Sequence, residues 1–328
     1  HKIGANVTAS SGLGNVYNGY ISEVHFIDGQ ALEPTEFGEW KSDIWIPKEY
    51  EGTYGTNGYH LDFATRATDP IDASGNGNNW ESVNVADADW MLDGPTNNFD
   101  VLNVLHPSAD TAGTSFTEGY LKYTNTAGGG NQNYGSQNFP ADSIDWYFEA
   151  RCNARPAQDQ YTYAGINNAY FRADGQVIVN GSTVTTVSGL SVGDILGFAF
   201  GPNKGIEIYR NGSSVYTNAS HTPNPLPLMN SYSSGSWTFN FGQDSSFAGA
   251  ATAQGNTDAN GIGDFYYSVP SGCLSRCTAN LPDPVIDPDK DQSAKDHFNP
   301  ALYTGTGTQQ SITGVGFQPD MVWTKYRS

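Results

Sequence analysis

The sequence predicts an all-β protein, a two-sheet antiparallel β-sandwich, and three observations carry that expectation. Apolar residues alternate with period two over short runs and do not recur every three or four residues, which is the strand pattern. The 328 residues include 38 glycines, 17 prolines, 19 tyrosines and 7 tryptophans, a composition of short strands and many turns. Turn signals recur about every 8–12 residues, the spacing of sandwich strands.

The elements follow in order. YNGYISEVHFIDGQALEPTEFGEW (17–40) holds a strand in which Tyr20, Ser22, His25 and Ile27 are interspersed with Ile21, Val24 and Phe26, a turn at Asp28-Gly29 and one short helical turn before Trp40. GYHLDF (58–63) alternates, and DASGNGNNW (72–80) is turn chemistry throughout. GYLKYTNT (119–126), DWYFEARCNA (145–154), YTYAGI (161–166), YFRADGQVIVNG (170–181) and GSWTFNFGQ (235–243) supply further strands. GDILGFAFGPNKGIEIYRNG (193–212) is the most informative stretch. Its first run is apolar on both sides and belongs between covered layers, while its second has a wetter side. The break Gly201-Pro202-Asn203-Lys204-Gly205 turns the chain, and Asn211-Gly212 offers a second tight turn because both residues tolerate positive φ. Residues 281–300, rich in proline and acid, read as an extended linker, and 301–328 resume β-patterning.

Charge narrows the function classes. Fifteen basic against 34 acidic residues leave a net −19, so nucleic acid and anionic membrane surfaces are excluded as partners, since both need basic clusters. The acidity is expected to serve solubility. No apolar run approaches the roughly 20 residues of a membrane span. The three cysteines, Cys152, Cys273 and Cys277, are too few for a disulfide framework and lack the further ligands of a zinc site, so they are expected reduced.

Several of these stretches carry a family resemblance. DWYFEARCNA, SVGDILGFAF and KGIEIYRNG resemble strand signatures of SPRY domains, within the broader concanavalin A-like lectin/glucanase class. YNGYISEVHFIDGQALEPTEFG looks like the closing strand of a LamG-type module, and LDFATRATDPIDASGNGNNW is similar to the opening of one. TGTGTQQSITGVGFQPDMVWTKYRS resembles a segment of bacteriophage tail-fibre structural proteins. The resemblance implies a concanavalin A-like jelly roll with four parts: 1–40 as the end of an upstream module, 41–280 as the sandwich, 281–300 as the linker, and 301–328 as the start of a further β domain.

Candidate chemistry is sparse. Glucan-cleaving relatives of this fold carry Glu-x-Asp-x-(x)-Glu on one strand face, because alternate residues share a side. Glu149 and Glu207 have no acidic partner two residues on, and Glu23 has His25 at that spacing with Asp28 beyond, the pattern of a solvated strand edge. No catalytic residue is therefore assigned, and no enzyme is expected. Asp69, Asp72, Asn76 and Asn78 are hard oxygen donors that Ca²⁺ accepts. The stretch lacks a closing bidentate Glu, so turn formation is expected there, with Ca²⁺ binding as the alternative, and no cofactor or metal ligand is assigned. Sugar sites combine an aromatic face with amide hydrogen bonds, which singles out Tyr161 and Tyr163 on one strand face and Asn167 and Asn168 just past its end. Aromatic packing between sheets is the competing role for these tyrosines.

The expected function is a non-enzymatic virion structural protein of tail-fibre type, with the sandwich serving assembly or host-glycan binding. The expected partners are further copies of the chain, a trimer, or other virion proteins, and a host surface glycan. The alternative is a secreted carbohydrate-binding module or an accessory domain of a glycoside hydrolase, and a protein-recognition SPRY domain is a third reading.

Overall fold

The computed structural model describes residues 3–4, 6–8, 12–14, 17, 19–41, 44–64, 69–86, 89–105, 113–126, 130–140, 143–156, 159–232, 234–282 and 294–325. Strands dominate, and the helical elements among these residues are three-residue 3₁₀ turns. None is long and apolar enough to cross a membrane.

In chain order, β1 (Asn6–Thr8) pairs with β2 (Gly12–Gly14). Next come β3 (Val24–Phe26), the β4 (Gly38–Lys41) and β5 (Ile44–Pro47) hairpin, and β6 (Tyr59–Leu61). The sandwich begins with β7 (Thr114–Thr117), β8 (Lys122–Asn125), β9 (Asn131–Tyr134) and the ten-residue β10 (Asp145–Ala154). It continues through β11 (Tyr163–Ile166), β12 (Ala169–Arg172), β13 (Gln176–Val179) and β14 (Ser182–Thr186). The remaining strands are β15 (Ile195–Gly201), β16 (Gly205–Arg210), β17 (Ser213–Asn218), β18 (Pro227–Ser231), β19 (Gly235–Asn240) and β20 (Cys273–Ser275).

Two sheets form the sandwich. One runs β17-β16-β15-β10-β19-β8-β7, with β20 added beside β10; the other runs β14-β13-β12-β11-β18-β9. The pairings are antiparallel except that of β20, which lies parallel to β10 over Asp145–Tyr147, where β19 no longer borders it. The sequence therefore anticipates the antiparallel architecture but not this parallel insertion. The predicted turns recur: Asn211 and Gly212 take φ of 49° and 76° between β16 and β17.

The core lies between the sheets. Phe148 stacks on Phe198 across the β10–β15 ladder at 5.1 Å and meets Phe239 and Phe241 at 6.0 and 5.5 Å. Ala164, Ile166, Phe171, Val177 and Met229 close it from the six-stranded sheet. Burying one such aromatic side chain contributes about 1.5–3 kcal/mol. β15 is buried on both faces, as its pattern predicts, and β16 is wetter.

The second cover over β15 is irregular chain. Residues 241–272 hold no strand, and acids fasten them. Asp258 accepts from Ile262 N at 2.9 Å, Ser275 N at 2.8 Å and Asn280 Nδ2 at 2.8 Å. Asp264 accepts from Ser245 and Gly255, and Asp244 from Ser246 and Ala248. Such loops bury polar backbone that must be paired. The acidity read as a solubility device is thus partly internal: Asp100, Glu149, Asp258 and Asp264 are all buried.

The chain divides into two compact units, residues 1–28 with 54–281 and residues 29–53 with 282–328. The expected boundary after residue 40 cuts through β4, and β3 pairs with β6 across it. In the second unit Trp40 and Trp45 oppose each other, ring centroids 5.4 Å apart. The segment expected to open a further β domain forms no strand among its described residues, 301–325. A period-two pattern becomes a strand only against a partner ladder. Most of the linker expected over 281–300 lies outside the described residues.

Candidate functional site

The outer face of the six-stranded sheet is the candidate site. Alternation assigns it: Ala164, Ile166, Ala169, Phe171 and Met229 point into the core, so their neighbours point outward. The registers then arrange the outward residues in two cross-strand rows. Gln132, Asn230, Tyr163 and Arg172 form one; Tyr134, Leu228, Gly165, Tyr170 and Ile178 form the next.

Tyr163 and Tyr170 sit diagonally across these rows and stack, with centroids 4.4 Å apart and planes at 26°. Gly165 provides the space. A Cβ there would lie 2.5 Å from Tyr170 Cα and would also strike the Ala169 carbonyl. Asn230 Nδ2 donates to Tyr163 Oη at 3.1 Å and Gln132 Nε2 donates to it at 3.4 Å. Burial raises the Tyr163 pKa above its ordinary value, the Asn230 hydrogen bond opposes this, and Tyr170 and Tyr134 add to it. The phenol is neutral and keeps its O–H. Arg172 donates to Asp174 at 2.6 Å and to Gln176 at 3.3 Å. Asn230 Oδ1 and Arg172 Nε are buried without a partner. Leaving such an atom buried and unpaired costs about 1–3 kcal/mol.

Tyr161 does not continue β11. It ends a 3₁₀ turn, Asp159–Tyr161, is half exposed, and stacks on Tyr232 at 5.7 Å just beyond β18. Asn167 and Asn168 occupy the opposite end of β11, about 13 Å of strand from Tyr163. Asn168 Oδ1 accepts from Asn224 N at 2.9 Å and its Nδ2 donates to Thr222 O at 2.9 Å, so it fastens the loop before β18. Asn167 N donates to Leu226 O at 3.0 Å. The structure therefore gathers Tyr161 and Tyr163 with Tyr170, Tyr134, Gln132, Asn230 and Arg172, and separates them from the two asparagines. The alternation of YFRADGQVIVNG already put Tyr170 and Arg172 on one face. Only the strand order could set that face beside Tyr163.

The other flagged residues have distinct settings. Glu149 is enclosed, its carboxylate accepting from Tyr266 N at 2.9 Å, Tyr267 N at 2.8 Å, Tyr147 Oη at 3.2 Å and Asn240 Nδ2 at 3.3 Å. Burial pushes its pKa up to about 7 against those four donors. Glu207 lies 3.9 Å from Lys204. In the turn-rich loop, Asp72 accepts from His60 N, Ser74 N and Asn78 N, each at 2.9 Å, and Asn76 and Asn78 donate to backbone carbonyls. Asp69 accepts from Ser82 N at 2.7 Å. Burial raises the Asp72 pKa, but these hydrogen bonds outweigh it and hold the carboxyl below its ordinary value. Among the described residues, Glu23, His25 and His60 bring metal-ligating atoms within 4.8 Å of one another, on a ribbon outside the sandwich sheets.

Residues 293–328 match the model of a domain of unknown function, DUF7483. No curated protein matches the chain. Among solved structures it is similar to the SPRY domain of human HERC1, at TM-score 0.31 and 17% identity, over 38% of this chain and 91% of that one. It is also similar to the carbohydrate-binding module CBM66 from Bacillus subtilis, at TM-score 0.28 and 13% identity, over 38% and 86%. A third is the TRIM65 PSpry domain, at TM-score 0.30 and 12% identity, over 43% and 89%.

Proposed function

We propose that this chain is a non-enzymatic glycan-binding β-sandwich module. The observation that carries the reading is the stacked Tyr163–Tyr170 pair on an outward sheet face, flanked by Gln132, Asn230 and Arg172. Tyrosine rings offer flat apolar faces for the C–H side of a pyranose, and the amides and guanidinium offer hydrogen bonds to hydroxyls. Tyr161 and Tyr232 extend the aromatic surface. The larger setting we assign is an appendage of a virus particle, built from further copies of the chain as a trimer. Its support is the acidic, Gly- and Tyr-rich composition and the tail-fibre-like segment near the C-terminal end of the sequence.

A glycan array probed with the intact chain tests the reading. Saturable binding to a sugar class, weakened about tenfold by Tyr163→Ala, corresponds to the loss of about 1.4 kcal/mol of stacking. Binding to no glycan, or equal binding by Tyr163→Ala and Tyr170→Ala, would sink it. Release of reducing sugar from a glucan panel would overturn the non-enzymatic assignment.

A further inference from the structure

We infer that Glu23, His25 and His60 form a binding site for a first-row divalent metal ion, with Zn²⁺ as the fitting species. The site is independent of the tyrosine face and lies on the two-stranded ribbon of β3 and β6.

The argument begins with register. His25 and His60 are directly opposed in the β3–β6 ladder, so their side chains leave the ribbon on the same face. Glu23 precedes β3 with a left-handed φ of 52°, outside the alternation, and its carboxylate reaches that face directly. The opposite face carries Val24 and the buried Leu61, which fixes which way the ribbon turns. The two imidazoles stand 4.2 Å apart with planes at 15°. Glu23 Oε2 lies 2.8 Å from His60 Nε2 and 3.7 Å from His25 Nε2. Ligand atoms around a tetrahedral ion with bonds of 2.0–2.1 Å are about 3.3 Å apart, and these two separations bracket that value.

The supports expected of a metal site are also present. Tyr54 Oη lies 2.8 Å from His25 Nδ1, the outer hydrogen bond that orients a ligating imidazole and turns its Nε2 toward the cluster. His60 N donates to Asp72 Oδ1 at 2.9 Å, and Asp28 N donates to Tyr54 O at 2.8 Å, so both strands are anchored outside the cluster. Two imidazoles and one carboxylate suit Zn²⁺, Co²⁺ or Ni²⁺ better than the oxygen-seeking Ca²⁺ or Mg²⁺. Glu23 is well exposed, so water completes the coordination from the open side. Binding needs the Nε2 lone pair, so the neutral His60 ring carries its proton on Nδ1 and ligation takes the place of the Glu23 hydrogen bond. It also rotates the His60 ring about χ2, because Tyr54 holds His25 in place and parallel rings do not aim both lone pairs at one point. The net −19 charge of the chain raises the local concentration of any cation.

The test titrates tag-free, chelator-stripped chain with Zn²⁺ by calorimetry, with Co²⁺ as the optical probe. One equivalent should bind at micromolar or tighter affinity, with the visible bands of nitrogen- and oxygen-bound Co²⁺. His25→Gln and His60→Gln should each weaken it at least 100-fold, Tyr54→Phe about tenfold, and His221→Gln not at all. Proton NMR of the unmodified chain provides a readout that needs no variant. At one equivalent the Cε1–H resonances of His25 and His60 should shift together, with His221 and His297 unmoved. Binding of no stoichiometric ion, equal affinity in His60→Gln, or shifts spread over all histidines would each overturn the assignment.

Discussion

Arg276 and Asp100, 176 positions apart in sequence, meet in an ion pair from which solvent is wholly excluded, Nη2 donating to Oδ2 at 2.8 Å. The guanidinium also donates to the Gln137 and Pro225 carbonyls and lies 4.6 Å from the Phe139 ring centroid. Asp100 Oδ1 accepts from Val101 N, Ser136 N and Gln137 N. The pair ties the segment before β7 to the chain following β20. Removing one member leaves the other charged and enclosed, at a cost of about 3–5 kcal/mol. Arg276→Met and Asp100→Asn should therefore each lower the denaturant midpoint sharply. Changes below 1 kcal/mol in both would show that the pair holds nothing together.

Glu149 makes stability depend on pH. Its folded pKa of about 7 lies above the ordinary 4.5, so between those values the folded chain binds more protons than the unfolded one. Its contribution is then full below about pH 4.5 and is lost as pH rises through 7. The difference in unfolding free energy between the wild type and Glu149→Gln should move by about 3 kcal/mol across that window, in favour of the wild type on the acid side. Parallel pH profiles of the two chains would remove Glu149 as the titrating group.

Tyr163 and Asn168 should separate binding from folding. Tyr163→Ala is expected to cost glycan affinity and, because its ring is stacked and its hydroxyl accepts from Asn230 and Gln132, some stability as well. Asn168→Ala is expected to cost about 1–3 kcal/mol of stability, because Asn168 fastens the loop before β18, and to leave glycan affinity unchanged. Array and melting data on the two variants check both halves.

The thiols should be silent. Cys152, Cys273 and Cys277 are reduced and buried, and burial pushes the Cys273 pKa up to about 12. Reagents that need thiolate are expected to label the native chain over 100-fold more slowly than the unfolded chain. Stoichiometric labelling without denaturant would contradict this packing.

What the sequence determined is local. Period-two alternation marked most sandwich strands, including all of β10 and the buried run of β15, because strand faces alternate whatever the partner. Asn211-Gly212 marked its turn because few other residues take positive φ without strain. Tertiary structure alone decided which strands lie side by side. That order put Tyr170 against Tyr163, His60 opposite His25, and Arg276 onto Asp100, pairs that no spacing in the chain announces. It also turned part of the acidity inward, since Asp258 and Asp264 fasten an irregular cover whose backbone needs internal acceptors. Alternation is a property of each strand, whereas adjacency depends on how the whole chain buries its apolar faces.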